Sequence, residues 1–475
     1  MGKYSLIVIS IIILVLSCKK ESFYRSSDAK LSFSVDTIFF DTVFTSVGSV
    51  TKQLKVYNNN DGAVNISNIR LAAGPGSNYR LNINGINSSS ANNIELDKGD
   101  SLYVFIEVTV DPQNVSTPYV ISDSIIFSLN GNVQDIDLRS WGQEANYIDG
   151  RYQSAIIHDT TWTNNKPFLI YNSMMVDTGE TLIIEEGTQI YLHKNSSIYV
   201  MGTLLIRGTK ENPVIIRGDR LEHAYDDVPG QWSRLVFVNP SSHNKINYAE
   251  IKGGIIGVQV GGNIESETKP DLLITNTKVE HMNYAGLYCV GSTVVASNCV
   301  FADVGFYPVA LLMGGYYEFY HTTIANYWNY ASRTEPSLVI TNNLIANNAM
   351  YVSDLAKAYF GNCIVYGTMD NELGLSNDAS VEFNYKFENC IVKANSDMDF
   401  SDDNIYSNVW KDKSPKFVNY RTYNWELDTM SYAIDNGDVN IVNNYPYLPS
   451  IFNDLNGESR ISDDSPDLGA YERMY

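Results

Sequence analysis

Lys252, Lys278, Glu280 and His281 are the side chains of this sequence best spaced for acid–base work. Taking a proton from beside a carboxylate, as an elimination on an acidic sugar requires, calls for a base such as lysine or arginine and commonly for calcium. Lys252 ends the run Glu250-Ile-Lys252, and the other three share the run Lys278-Val-Glu280-His281. The repeat described below makes these two runs neighbours. Charges on an outer face are more often simply solvated, which is the plainer reading of the same four residues.

The six histidines show no pair at zinc-like spacing, so no transition-metal site is expected. Asp397-Met-Asp399-Phe-Ser-Asp402-Asp403-Asn404 has oxygen ligands enough for Ca2+ but lacks the spacing, central Gly and closing Glu of an EF-hand, and reads first as a solvated loop. No cofactor is predicted, with Ca2+ the one ion left open. The densest aromatic cluster is Tyr316-Tyr317-Glu-Phe319-Tyr320 followed by Tyr327-Trp328-Asn-Tyr330. Exposed rings stack on the apolar CH faces of sugars, and tyrosine adds a hydroxyl. The cluster predicts a glycan-binding patch at Tyr316, Tyr317, Tyr320, Tyr327 and Trp328; an aromatic column packed under a loop is the alternative.

The elements that must position these groups are short strands. From Leu31 to about Gly142 period-two alternation recurs, as in Leu102-Tyr-Val104-Phe-Ile106-Glu-Val108, with turns such as Asn58-Asn-Asn-Asp-Gly62 and Asn130-Gly131 between, which predicts an antiparallel sandwich of about seven strands. Asp36, Asp41, Asp100 and Asp123 read as caps on its strands and turns. From about Trp162 the strands shorten to three to five residues punctuated by glycine. Further on, the segments beginning at Asn276, Asn298, Thr322, Asn342, Asn362 and Asn389 align as one unit, with offsets of 22, 24, 20, 20 and 27 residues. That period fits one coil of a stacked solenoid with loops of varying size, and not a propeller blade. Equivalent residues then lie about 4.8 Å apart, so inward asparagines are expected to form an amide ladder. Cys299, Cys363 and Cys390 fall in one column beside it. Free buried thiols are expected there, with Cys363 and Cys390, in neighbouring coils, the one pair within reach of a bond.

Residues 1–18 carry a basic start, the apolar run Leu6–Leu16 and Leu16-Ser17-Cys18, too short a run for a permanent span. This ending resembles the lipobox of bacterial lipoproteins, and the resemblance implies a lipid-modified Cys18, a palmitate-type anchor and, with no aspartate after the cysteine, the outer membrane. Residues 19–29 are a polar tether. Residues 30–145, with Val35-Asp-Thr-Ile38, Asp100-Ser-Leu-Tyr and Asp123-Ser-Ile-Ile-Phe in order, resemble the immunoglobulin-like domain of Bacteroidetes lipoproteins. Residues 146–475 resemble right-handed parallel β-helix proteins of the pectin-lyase-like type through Gly179-Glu-Thr-Leu-Ile-Ile-Glu-Glu-Gly-Thr and the ending Asp467-Leu-Gly-Ala-Tyr-Glu472. The expected fold is thus all-β, a sandwich followed by a right-handed parallel β-helix.

Pectin hydrolases of that architecture carry a paired-aspartate motif with Gly-His-Gly and Arg-Ile-Lys strings. Here Glu250-Ile-Lys252 is only a partial echo, and the hydrolase residues do not carry over. A net charge of −21, without clusters of Lys or Arg, gives no electrostatic footprint for nucleic acid. The expected role is a surface-exposed envelope lipoprotein that binds a polysaccharide or glycan. The alternatives are a polysaccharide lyase or glycoside hydrolase, and a structural or adhesive partner of other envelope proteins.

Overall fold

Alternating apolar residues become strands wherever one face can be buried, and here they do so in two arrangements. The computed structural model describes residues 22–113, 115, 118–262, 269–444, 449–462 and 465–474. Cys18 and the apolar run before it lie outside the described residues. The chain separates into two compact units, one ending at Glu144 and the other starting at Ala145.

The first unit is two five-stranded sheets enclosing one apolar core that includes Phe40, Val56, Ile69, Tyr79, Val104 and Phe127. Among the described residues this unit has ten strands where about seven were expected, two of them, Ser32–Phe33 and Ile86–Asn87, only two residues long. The pairing is antiparallel except between Asn132–Gln143 and Thr37–Phe44, which run parallel. Asp123 accepts from the backbone N–H of Ala73 and Ser124, and Asp100 from that of Ser101, so both carboxylates are spent on turns.

The second unit is a parallel β-helix. Each coil has three faces, and the strands of the large sheet pair in parallel with their counterparts one coil away. One coil runs from Lys278–Met282 on the first face, through residues 285–290 on the second, to 293–297 on the third. The next uses Val300–Val304, 307–312 and 315–320. The inner positions stack aliphatic on aliphatic, as in Ile184, Ile206, Ile246 and Ile274, and end in a ladder of rings. Phe319, Phe360 and Phe387 lie parallel with centroids 4.9 and 4.6 Å apart, the strand spacing itself.

The asparagine repeat has a backbone cause. Between third and first faces the chain turns through a single left-handed residue: Asn276, Asn298, His321, Asn362, Asn389 and Asn408 have φ between 45° and 55°. Asparagine tolerates that region better than other residues with a Cβ. Two positions of the sequence alignment are corrected by it. His321, not Thr322, stands in the column, since Val300 pairs with Thr323. Asn342 is not a rung at all; it follows a second-face strand and precedes the hairpin Asn343–Ala346 with Ala349–Val352, which leaves the coil.

The amides do not point into the core, as had been expected. Asn298 donates to Asn276 at 3.0 Å and Asn276 to Asn247 at 2.9 Å, but the column faces the chain beyond residue 412. Asn298 also donates to the Asn453 carbonyl, and Asn362 receives the N–H of Asp438 and donates to its carbonyl. His321 is neutral: burial and the nearby Arg460 charge hold its pKa well below the ordinary value, leaving Nδ1 to face the Asp467 carbonyl and Nε2 to accept from Asn362. Beside the column, Thr277, Cys299, Thr322, Cys363 and Cys390 each donate to the carbonyl two residues back. All four described cysteines are free and buried, so Cys363 and Cys390 are not bonded.

Residues beyond 412 cover the first face. Its outer positions Val300, Ala302, Ala325, Ile364 and Ile391 are small or aliphatic, and Phe417, Trp425, Leu427, Leu468 and Ala470 pack over them. Arg460, fully buried, ties this cover down through Glu472 at 3.1 Å, Asn298 Oδ1 at 3.0 Å and the Gly469 carbonyl.

Candidate functional site

Two residues at the corner between first and second faces break the strand rule. His281 and Asp303 have φ of 57° and 52°, and they are stacked, because Glu280 pairs with Ala302 and Met282 with Val304. Neither is glycine, so each costs of order 1 kcal/mol or more, and strain of this kind concentrates where a side chain is aimed for use. The left-handed backbone at these two positions turns both side chains toward the corner. His281 Nδ1 lies 2.8 Å from Asp303 Oδ2, both groups almost fully buried, and Nε2 faces Asp227 Oδ1 at 3.5 Å.

Asp227 is 42% exposed and also lies 3.7 Å from Lys252 Nζ. The Tyr330 hydroxyl donates to its carbonyl, and the Tyr423 ring meets the imidazole edge-on at 4.3 Å. Burial by itself would lower the His281 pKa, but the bond to Asp303 and the charges of Glu280, Asp303 and Asp227 outweigh it and raise the value. Tyr423 is pushed up to about 12 by burial and by Asp303, Tyr330, Asp227 and Glu280.

Of the four acid–base residues singled out by sequence, the fold gathers Lys252 and His281 at this corner. Glu280 is turned to the covered face, where Trp425 Nε1 donates to its Oε1 at 2.5 Å and burial raises its pKa. Lys278 stands on the rung with Glu250, two residues along the strand from Glu280. The partners that make the corner a site, Asp303 and Asp227, come from the next coil and from the loop after residues 214–218, and no sequence spacing announces them.

An aromatic platform begins three residues further on. Tyr284 and Phe306 follow His281 and Asp303 at that spacing on the two coils, and their ring centroids are 5.2 Å apart. Tyr288 and Tyr307 lie 5.9 Å from Tyr284 on the same surface, and Phe306 is 41% exposed. Below them Tyr288 pairs with Gln259, whose Oε1 accepts from Arg234 at 2.8 Å. Above them Tyr307 engages Glu335, which together with burial raises its pKa. The loop carrying Trp328, Tyr330 and Glu335 is fixed by Arg333, which forks onto the buried Glu372 at 2.6 and 2.8 Å. A signal for the platform was present: Tyr284 and Phe306 each follow their column asparagine, Asn276 and Asn298, by eight residues.

The patch expected around Tyr316 does not assemble. Tyr317 points inward, fully buried, its hydroxyl donating to the Gly314 carbonyl. Tyr320 is buried beneath Tyr359, Ile441 and Ile451. Tyr327 stacks on Tyr420 at 4.4 Å, and Trp328 is buried against Tyr330. Tyr316 alone of the five is exposed, beside Lys357 and Glu318. The reason is alternation combined with cover: neighbouring residues of one strand face opposite ways, and Ile441, Val442 and Ile451 close over part of the outer side. In the acidic loop, Asp399 and Asp402 accept from the N–H of Ser401 and Asn404, and among the described residues no group of three or more His, Cys, Asp or Glu is placed to hold a metal ion.

Residues 234–392 match the family model described as "Right handed beta helix region". With the parallel register above, that makes the second unit a right-handed parallel β-helix. A curated protein, Protein bark beetle of Drosophila melanogaster, is 30% identical over 111 residues, 23% of this chain; the chain spans only 3% of that protein's length. Among solved structures, a point mutant of the periplasmic alginate epimerase AlgG is 10% identical, covering 54% of this chain and 68% of its own at a TM-score of 0.24. The catalytic unit of the GH87 alpha-1,3-glucanase from Streptomyces thermodiastaticus is 8% identical, covering 72% and 84% at 0.21. The ASH/PapD-like domain of human CEP192 is 13% identical over 27% of this chain and 94% of its own, at 0.19.

Proposed function

We propose that this protein is an envelope lipoprotein, anchored through Cys18 and displayed at the cell surface, that binds a polysaccharide along the open flank of its β-helix. The observation that carries the binding reading is the platform of Tyr284, Tyr288, Phe306 and Tyr307 on two stacked coils, flanked by the Arg234–Gln259 pair and by Glu335. Rings supply stacking surface, the flanking amide, guanidinium and carboxylate supply hydrogen bonds to hydroxyls, and the parallel stack repeats the surface along its axis as a polymer repeats its units. A glycan array of the chain from residue 19 should retain at least one polysaccharide unchanged, and Tyr284→Ala with Phe306→Ala should weaken that retention at least about tenfold. An empty array, or a double variant that binds as well, overturns this reading. Labelling with an acyl-chain probe that is lost in Cys18→Ala, and cleavage of the protein on intact cells by added protease, test anchor and display.

One observation favours a second, enzymatic reading on the same flank. A histidine oriented by a buried aspartate, facing an exposed carboxylate and a lysine beside a sugar platform, is the arrangement of an acid–base catalyst. A lyase would create an absorbing double bond and a hydrolase would release reducing ends. Turnover abolished by His281→Gln with retention kept would establish catalysis.

A further inference from the structure

The sandwich unit carries a surface that the β-helix reading does not use. On the strand Ser101–Val108 alternate residues Tyr103, Phe105 and Glu107 point outward, while Leu102, Val104 and Ile106 fill the core. The Tyr103 and Phe105 rings stack with centroids 6.3 Å apart and planes 16° from parallel, and are 40% and 38% exposed. Isolated exposed rings on a sheet are common; two stacked rings on one strand make a continuous apolar strip.

The register puts polar groups on both sides of that strip. Gln53 and Asn82 flank Phe105, and Lys55 flanks Tyr103 with its ammonium 5.3 Å from the ring centre. Arg80 flanks Glu107, and Thr51 Oγ1 donates to Glu107 Oε1 at 2.5 Å. Beside Phe105 the sheet opens into a cleft of about 520 Å3 lined by Thr51, Arg80, Asn82, Asn87, Phe105 and Glu107 among others. Asn82 donates its amide to Asn87, yet its own buried Oδ1 accepts nothing. A buried acceptor without a donor is costly unless a ligand or water supplies one.

Two cations, Arg80 and Lys55, stand against the single carboxylate of Glu107, but the Arg80 guanidinium already donates to the Ser77 and Tyr79 carbonyls, and the remaining lining is amide and hydroxyl. A polyanion meets at most one net positive charge here, and an apolar partner would strand the polar rim. A chain of neutral sugars satisfies it: ring faces on Tyr103 and Phe105, hydroxyls donating to Asn82 Oδ1 and Glu107, and hydroxyl oxygens accepting from Gln53 and Asn87. We infer that the outer face of the sandwich around Tyr103, Phe105 and the Asn82 cleft is a second binding site, for a neutral oligosaccharide, independent of the β-helix platform.

Calorimetric titration separates the two sites. The chain from residue 19 carrying Tyr284→Ala and Phe306→Ala is titrated with cellohexaose, mannohexaose, xylohexaose and maltohexaose. Saturable binding of at least one is expected, weakened at least about tenfold when Tyr103→Ala and Phe105→Ala are added. Failure of every hexaose to bind, or indifference of the binding to Tyr103 and Phe105, overturns the inference while leaving the platform reading intact. If that double variant unfolds on heating earlier than its parent, Glu107→Gln reads the same site without removing a ring, and affinity unchanged by it counts against the inference. Sedimentation showing self-association abolished by Tyr103→Ala and Phe105→Ala would also overturn it, since the strip would then be a contact between copies.

Discussion

The first face of the coils from Val300 onward and the second face of the coils from Arg234 to Tyr288 have outer surfaces of opposite character. On the first face the outward residues Val300, Ala302, Ala325, Ile364 and Ile391 are small and apolar, and the chain beyond residue 412 folds over them. On the second the outward residues are Arg234, Gln259 and Tyr288, with Tyr284, Phe306 and Tyr307 at its border, and this surface is left open. Burying aliphatic surface is favourable at roughly 25 cal/mol per Å2, whereas burying amides and guanidinium without partners is not. A parallel solenoid thus uses one rule for its inside, which every coil obeys, and lets the outward residues decide which flank is sealed and which meets a ligand. The His281–Asp303 corner sits at the border between the two.

The comparison breaks most decisively at Arg460. Arg460→Ala leaves the buried Glu472 carboxylate without its cation and removes one of the ties between Asn298 and the cover, so a loss of about 3–5 kcal/mol is expected in urea unfolding followed by tryptophan fluorescence. Replacing both members of the pair by apolar residues should return much of it; an equal loss in both variants would mean that the ion pair is not what holds the cover.

On the open flank the loss falls on binding rather than on stability. Tyr284→Ala with Phe306→Ala should cost at least about 1.4 kcal/mol of polysaccharide affinity, a tenfold change, while moving the urea midpoint far less than Arg460→Ala does. A double variant that unfolds as readily as Arg460→Ala would make the platform a packing device like the first face.

The corner responds to pH. His281 holds its proton more tightly in the folded chain than the unfolded value of about 6.5. Its contribution is therefore whole below that value and fades as pH rises through the higher folded value. Over this window wild-type stability should decline with pH more steeply than that of His281→Gln, and a coincident pair of pH profiles would show that the imidazole is uncharged throughout. The smallest effect belongs to the thiols: burial raises the pKa of Cys299 to about 12 and that of Cys363 well above the ordinary value, so none should react with a thiol reagent before unfolding, and reductant should leave the urea midpoint unchanged.

Much of the fold was legible because it is written in local chemistry. The left-handed corner needs a residue that accepts positive φ, and asparagine at Asn276, Asn298, Asn362 and Asn389 marked it. Where another residue took the corner, as His321 does, the alignment slipped by one, and where a loop hid the coil, as between residues 327 and 354, Asn342 was mistaken for a rung. For the site, Lys252 and His281 were legible as ionisable residues on neighbouring segments. Asp227 and Asp303 were not, because a partner supplied by another coil has no fixed offset along the chain. The aromatic patch failed for the reverse reason: density in sequence says how many rings there are, and alternation with the cover of Ile441, Val442 and Ile451 says which of them reach the surface.

By itself the sequence determined that this chain is all-β, that its larger part stacks in parallel coils of some twenty residues, and that Cys299, Cys363 and Cys390 lie buried beside a column of asparagines. Those properties follow from φ preference and period-two burial, which act within a few residues. Only the tertiary structure decided which flank is covered, which histidine meets an aspartate and which rings face water, because each depends on contacts between coils or with the chain folded back over them.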